Sequence, residues 1–164
     1  QRLAERLNMP FVDTDALVEK AVGKTIREMI EDRGWEFFRQ QEQETIRNLT
    51  VGGKSVIATG GGAVMDRGNA FFLKKEGILI WLTADEKTIR ERMLADPATA
   101  GQRPRFSPDD LAVEIRNILA VRAPAYRRLA DLAIDTTVMS IEACVDRIVA
   151  FLNVKYNKYC RNYE

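Results

Sequence analysis

Two aspartates set one residue apart are the clearest candidates for chemistry in this chain. Asp13 and Asp15 come directly after the apolar pair Phe11 and Val12, a position that favours the carboxyl end of a parallel strand. Ligands of open α/β proteins bind at that edge of the sheet, where two carboxylates suit magnesium binding and proton chemistry. On an extended segment the two side chains would point in alternate directions and could do different work. Simple capping of a helix start explains the same Asp-Thr-Asp segment equally well.

A run of three glycines follows another apolar segment. Gly60, Gly61 and Gly62 come after residues 56–59, so they too should lie at the carboxyl end of a strand. A flexible turn is the simpler explanation, but turns seldom need three glycines. Side chains at such a position would block the close approach of a ligand to the backbone. We therefore predict that this run contacts a ligand.

Three arginines are candidate anion-binding groups, because a guanidinium can donate two parallel hydrogen bonds to one carboxylate or phosphate. They are Arg39, Arg103 and Arg122. Each of them, taken alone, is as well explained by a solvated charge. For Arg39 that simpler explanation is a surface ion pair with Glu36 or Glu42.

The elements that must position these residues alternate between strand-length apolar runs and helical patterns, which predicts βαβ units around a parallel sheet. The predicted strands are Phe11–Val12, Val56–Thr59, Ile78–Leu82 and Ala133–Asp135. The predicted helices are Arg2–Leu7, Leu17–Val22, a helix opened by Thr25, Trp35–Leu49, Lys87–Leu94, Leu111–Val121 and a last one through Leu152.

Local signals set the ends of several of these helices. Gly23 should end the second helix, and Thr25-x-x-Glu28 is a capping box that opens the next. The predicted N-caps of the later helices are Asp85, Ser107 and Ser140. Pro124 is predicted to stop the helix that carries Arg122. The polar stretch 95–107, which contains proline and glycine, is predicted to be a mobile lid.

Composition limits the classes of function. The chain has 164 residues, of which 46% are apolar and 30% charged, as expected for one domain with a real core. Its net charge of +1 gives no sign of a nucleic-acid partner. No apolar stretch is long enough to span a bilayer, so we expect a cytoplasmic protein without a membrane partner. The chain contains no histidine, which excludes histidine-dependent triads and histidine metal sites.

Several short segments together resemble shikimate kinase, in the family's order and over nearly the whole chain. They are Asp13-Thr14-Asp15, Phe38-Arg39, Thr59-Gly60-Gly61-Gly62, Arg103-Pro104 and Arg122-Ala123-Pro124-Ala125-Tyr126. The resemblance implies a P-loop kinase of the nucleoside-monophosphate-kinase type, with a three-layer αβα fold around a parallel sheet. It implies a single kinase domain over 1–164, with a helical substrate-binding subdomain at 15–49 and a lid at 95–107.

The resemblance also implies an activity. A shikimate kinase transfers the γ-phosphate of ATP to the 3-hydroxyl of shikimate, with Mg²⁺, in the biosynthesis of aromatic amino acids. Carried over to this sequence, Asp13 helps to hold Mg²⁺ through water, and Asp15 contacts the attacking hydroxyl as base or orienting group. Its partners are then shikimate and ATP, and we expect a monomer.

The remaining roles concern the arginines and glycines. By the resemblance, Arg39 and Arg122 bind the shikimate carboxylate, and Gly60, Gly61 and Gly62 approach the substrate through backbone atoms. Arg103 reaches the transferring phosphate as a catalytic, nucleotide-binding residue. Arg92 is a weaker candidate for packing on adenine, because Arg90 competes with it.

Two features depart from the family pattern. The usual Arg-Pro-Leu-Leu is replaced by Arg103-Pro104-Arg105-Phe106. The family's phosphate-binding loop is not in the chain, since Gly23-Lys24-Thr25 and Gly53-Lys54-Ser55 lack the required earlier glycine. We expect that loop, after an apolar strand, within roughly 20 residues upstream of Gln1. The alternatives are a kinase-like binding or regulatory protein that is not an enzyme, and another P-loop kinase acting on gluconate or a nucleotide.

Overall fold

The computed structural model describes residues 1–49, 53–95 and 108–160. Its strands are β1 (Phe11–Asp13), β2 (Val56–Ala58), β3 (Ile80–Thr83) and β4 (Leu132–Asp135). Its helices are α1 (Arg2–Leu7), α2 (Thr14–Val22), α3 (Ile26–Leu49), α4 (Arg67–Glu76), α5 (Glu86–Ala95), α6 (Pro108–Leu129) and α7 (Ile141–Cys160). A short 3-10 turn at Ala63–Met65 follows β2. The predicted alternation of strands and helices is confirmed, but α4 was not predicted, and α6 and α7 both extend eight residues beyond their predicted ends.

The strands form two parallel pairs. β1 pairs with β2 so that Asp13 lies opposite Ala58, and β3 pairs with β4 so that Thr83 lies opposite Asp135. Parallel pairing puts the carboxyl ends of both partners at the same edge. The residues that follow β1 therefore lie next to those that follow β2, which include the glycine run.

Helices α2 and α3 form a small unit with its own apolar core. Gly23 ends α2 with a left-handed φ of 74°, as predicted. A second break occurs inside α3 at Gly34, with φ 79° and ψ 172°, between the two helices that the sequence predicts. The fully buried Val18 and Met29 pack with Phe38. This packing fixes the helix segment that carries the next residue, Arg39.

The capping box at the start of α3 is confirmed. The Thr25 N–H donates to Glu28 Oε2 at 2.8 Å, and the Glu28 N–H donates to Thr25 Oγ1 at 3.2 Å. Asp85 caps α5 by accepting from the Thr88 N–H at 2.7 Å. Ser140 likewise accepts from the Ala143 N–H at 3.2 Å. The predicted cap at Ser107 lies outside the described residues.

Helix α6 does not stop at Pro124, so that prediction is wrong. The helix continues to Leu129 with the proline inside it. A proline there removes one backbone hydrogen bond and disfavours the helix by roughly 3 kcal/mol. The turn after it is held by packing, because Ala125 is buried and the Tyr126 ring lies 5.6 Å from that of Trp81. Tertiary contacts therefore outweigh the local signal. The last helix, α7, likewise runs beyond Leu152 to Cys160.

The second core lies between the β3–β4 pair and α7. Ile134, Cys144 and Ile148 are buried there, and α1 packs on the same helix. Within the described parts of the chain, no helix is both long and apolar enough to cross a membrane.

Candidate active site

The glycine run brings the predicted functional side chains together. Gly60 packs against Asp15, since a methyl group at Gly60 would lie 2.7 Å from the Asp15 Oδ1 atom. Gly62 packs against Arg39, whose Nη1 atom would lie 2.7 Å from such a methyl group. Both distances are shorter than a carbon atom tolerates. Glycine is needed at both positions because protein side chains occupy the space, and neither residue has a positive φ.

The middle glycine faces a third functional side chain. A methyl group at Gly61 would lie 3.1 Å from Arg122 Nη1 and 3.1 Å from Tyr126 Oη. Both residues come from α6, four positions apart, and so lie on one face of that helix. Three successive glycines thus contact side chains from α2, α3 and α6.

Asp13 caps a helix and also ends a strand. Its Oδ1 atom accepts hydrogen bonds from the N–H groups of Asp15, at 3.0 Å, and Ala16, at 3.3 Å. Asp15 lies in the first turn of α2, so the expectation of two carboxylates on one extended segment is wrong for Asp15. Their side chains still point differently, because one caps the helix and the other belongs to it.

The Asp15 carboxyl group is in an unusual environment. Its Oδ1 atom is buried and has no hydrogen-bond partner among the described residues. Burial raises its pKa above the ordinary aspartate value, and the neighbouring carboxylates of Asp13, Glu42 and Glu19 raise it further. Arg39 partly offsets this rise. A buried, unsatisfied acceptor of this kind is suited to a ligand hydroxyl.

Arg39 is held in place from several sides. Its Nη1 atom donates to both Glu42 oxygens, at 2.9 and 2.7 Å. The centre of its guanidinium lies 5.4 Å from the Trp35 ring and 5.0 Å from the Phe38 ring. An ion pair with Glu42 was the simpler explanation of Arg39, but it is not a surface pair, because Glu42 is buried. The arginine is fixed in one orientation beside Gly62.

Arg122 is half-buried and has no ion pair within the part of the chain that the structure describes. The glycine run therefore has two guanidinium groups beside it, one paired with a carboxylate and one not. Since no carboxylate of the described residues pairs with the Arg122 guanidinium, that group can donate hydrogen bonds to an anionic group of a ligand.

Arg92 lies at the carboxyl edge of the other strand pair. Its guanidinium donates to Thr136 Oγ1 at 2.8 Å and to the Thr136 carbonyl at 2.7 Å, just after β4. Arg103 and nearly all of the predicted lid lie outside the described residues. The structure therefore brings together Asp13, Asp15, Arg39, Arg122 and the three glycines, and it places Arg92 on the β3–β4 side.

Sequence reasoning missed two hydroxyl groups at the site. Thr14 is fully buried, and its Oγ1 atom accepts from the Gly60 N–H at 3.3 Å. Tyr126 donates its hydroxyl hydrogen to the Gly61 carbonyl. Tyr126 could have been found from its position one helical turn beyond Arg122. For Thr14 the only signal was its place between two functional aspartates.

A family model described as shikimate kinase matches residues 1–153 of the chain. The chain belongs to the shikimate kinase family. The resemblance predicted from its motifs is confirmed, and with it the class of ATP-dependent kinase. Among curated shikimate kinases, that of Syntrophus aciditrophicus (strain SB) is 44% identical over 166 residues, covering 96% of this chain and 85% of that protein. That of Symbiobacterium thermophilum is 39% identical over 147 residues, covering 90% and 83%.

Solved shikimate kinase structures agree with this fold. The shikimate kinase from Acinetobacter baumannii in complex with shikimate superposes with a TM-score of 0.84 at 29% identity, covering 93% of this chain and 83% of that one. The enzyme from Bacteroides thetaiotaomicron gives a TM-score of 0.84 at 28% identity, covering 93% and 88%. The predicted αβα fold of a P-loop kinase is confirmed.

Proposed function

We propose that the glycine-run site binds shikimate and that the protein transfers the γ-phosphate of ATP to the 3-hydroxyl of that acid. One observation carries the proposal: Asp15, Arg122 and Arg39 lie against three successive glycines. A carboxylate acceptor and two guanidinium donors grouped on one glycine run match a small acid that carries hydroxyl groups. The known complex of a structural relative with shikimate supports the same substrate.

The two arginines bind the substrate carboxylate in this proposal. Arg39 is oriented by Glu42, which leaves the rest of its planar fork for the ligand. Arg122 brings a positive charge that no carboxylate of the described chain neutralises. Together they would hold the acid at one end and so fix the direction of its hydroxyl groups.

Asp15 acts on the reacting hydroxyl. Its buried Oδ1 atom accepts a hydrogen bond from the 3-hydroxyl and orients its oxygen toward the γ-phosphorus. As the new O–P bond forms, the bond from the γ-phosphorus to the bridging oxygen of ADP breaks, and the hydroxyl proton leaves. A raised pKa makes Asp15 a better acceptor for that proton than an ordinary aspartate.

The residues present fit a magnesium ion with few protein ligands. Among the described residues, no three acidic, histidine or cysteine side chains are arranged so that they could hold a metal ion together. Magnesium typically keeps several waters and uses one or two carboxylates together with substrate phosphates. Asp13 would hold it, because the two backbone N–H groups that cap the helix donate to only one of its two carboxylate oxygens, which leaves the other for the ion. When bound, the ion neutralises charge on the phosphates.

The other predicted parts stay proposals. Arg103 would reach the transferring phosphate, Arg92 would contact adenine, and 95–107 would act as the lid. The helical unit at 15–49 would be the substrate-binding subdomain of a single kinase domain, which its separate apolar core supports. We place the protein in the cytoplasm, where ATP is supplied.

An acceptor panel tests the proposal. The purified native protein is incubated with ATP, Mg²⁺ and one acceptor at a time, and ADP formation is followed with shikimate, gluconate and a nucleoside monophosphate. We expect turnover with shikimate and none above background with the other two. ADP formation with gluconate or the nucleotide alone would replace this function with that of another kinase.

A further inference from the structure

Hydrogen bonds to its backbone fix the conformation of the glycine run, which has no side chains to do so. The Gly60 and Gly62 carbonyls accept from the N–H groups of Ala63 and Met65, each at 3.0 Å. The Gly61 carbonyl lies outside that turn and accepts from the Tyr126 hydroxyl. All three carbonyls of the run are therefore engaged. Of the bonds that the described residues make to these three carbonyls, only the one from Tyr126 comes from a side chain.

The N–H side of the run is also held. The Gly60 N–H donates to Thr14 Oγ1 at 3.3 Å, and Thr14 is fully buried between the two aspartates of the site. The N–H groups of Gly61 and Gly62 have no hydrogen-bond partner within the described ranges. They are thus the backbone donors that the run leaves open beside Asp15, Arg39 and Arg122.

We propose that Thr14 and Tyr126 are positioning residues for the substrate, acting through the backbone of the glycine run. This inference rests on the proposed function. In a trans peptide the C=O of one residue and the N–H of the next point in opposite directions. The bond from Tyr126 to the Gly61 carbonyl therefore fixes the direction of the Gly62 N–H. The bond to Thr14 fixes the peptide before Gly60 in the same way.

Glycine makes such external bonds necessary. It samples more backbone conformations than any other residue, so three in succession have no preferred shape of their own. Larger residues cannot replace these glycines, because their side chains would collide with the surrounding side chains. The hydroxyl groups of Thr14 and Tyr126 order the flexible backbone by hydrogen bonds and so leave the glycines in place.

Tyr126 is itself held firmly enough to do this. Its ring lies 5.6 Å from the Trp81 ring at an angle of 52°. It also lies one turn after Arg122 on α6, so the same bond fixes the distance between that arginine and the run. Loss of the hydroxyl alone would leave the ring contact and remove the restraint on the backbone.

The test compares Tyr126→Phe and Thr14→Val with two controls. Thr14→Ser keeps the hydroxyl and should restore wild-type behaviour, even if Thr14→Val folds poorly. Asp131 accepts hydrogen bonds from the Leu79 N–H and from Lys155 near the amino ends of β3 and β4, away from the site. Asp131→Asn weakens these bonds and therefore shows the effect of lost stability alone. Kinetic constants are measured for shikimate and for ATP, and amide hydrogen exchange over residues 60–65 is measured without ligand.

We expect Tyr126→Phe and Thr14→Val each to raise KM for shikimate about two- to tenfold, the range for one hydrogen bond. The KM for ATP should stay unchanged, and exchange over 60–65 should accelerate. Thr14→Ser and Asp131→Asn should show neither change. Unchanged exchange and unchanged KM for shikimate in Tyr126→Phe would overturn the positioning role while the proposed function stands. Exchange is read without substrate, so it tests the role even if shikimate proves not to be the acceptor.

Discussion

Arg39 and Glu42 form an ion pair in which the carboxylate is buried and the arginine is not. The Glu42 side chain is 1% exposed and that of Arg39 is 32% exposed, with 2.7 Å between Nη1 and Oε2. A carboxylate is seldom buried this deeply unless a cation neutralises it. The pair therefore has two consequences, one for the fold and one for the site, and these can be separated by mutation.

Arg39→Ala should damage both stability and binding, whereas Arg122→Ala should damage binding alone. Removing Arg39 leaves the buried Glu42 carboxylate without a cation, which should lower the free energy of unfolding by about 2 to 3 kcal/mol. Arg122 has no ion pair among the described residues, so its loss should change stability by less than about 0.5 kcal/mol. Chemical denaturation of both variants measures this. Equal stabilities would show that the pair does not support the fold.

Alanine at the outer two glycines should displace different functional groups. Gly60→Ala pushes Asp15 away and should mainly lower kcat, while Gly62→Ala pushes Arg39 away and should mainly raise KM for shikimate. Gly77→Ala is a control for crowding by a methyl group at a glycine away from the site, where the added atom would lie 3.3 Å from the Leu73 carbonyl. Steady-state kinetics of the three variants distinguish the roles. The same kinetic defect in Gly60→Ala and Gly62→Ala would contradict the separate assignments.

Asp15→Asn should abolish turnover and at the same time stabilise the fold at neutral pH. Burial raises the pKa of Asp15 in the folded state, so its ionised form opposes folding. The contribution of this carboxyl group to stability is fully present below the unfolded pKa and is lost as pH rises through the folded value. The asparagine variant should therefore melt at a higher temperature than wild type at pH 7, and by less at pH 4. A lower melting temperature of Asp15→Asn than of wild type at pH 7 would contradict a raised pKa of Asp15 in the folded state.

Asp131 should show the opposite dependence on pH. Burial pushes its pKa up, but hydrogen bonds from Lys155, Lys74 and the Leu79 N–H outweigh this and lower it to about 2. Its stabilising contribution is present above the unfolded pKa and is lost as pH falls toward 2. Asp131→Asn should thus lower the melting temperature at pH 7 but have little effect near pH 2. A constant difference across that range would contradict the lowered pKa.

Much of the architecture follows from local signals in the sequence. The apolar runs predicted all four strands within about two residues, and the capping box at Thr25 and Glu28 forms as expected. Such signals work because they depend on nearby residues. Pro124 shows the limit, since contacts of Tyr126 with distant parts of the chain keep the helix intact beyond it.

The site divides in the same way. The residue types that could bind a small acid were visible as motifs in the sequence. The sequence did not reveal that each of these side chains packs against a different glycine of the run. Sequence reasoning explained the glycines by approach of a ligand, whereas in the structure protein side chains already fill that space. The burial of Glu42 and Thr14 also depends on tertiary packing, which a single sequence does not encode locally.

Calorimetric titration with shikimate tests the central claim most directly, namely that the two arginines beside the glycine run bind the carboxylate of this acid. Wild type and Arg122→Ala, which should be equally stable, are each titrated with shikimate and with its uncharged carboxamide. We predict that Arg122→Ala weakens shikimate binding roughly ten- to a hundredfold, as for a lost charge-assisted hydrogen bond. Binding of the carboxamide should be weak and nearly the same in both proteins. Equal affinity of wild type and Arg122→Ala for shikimate would contradict the account.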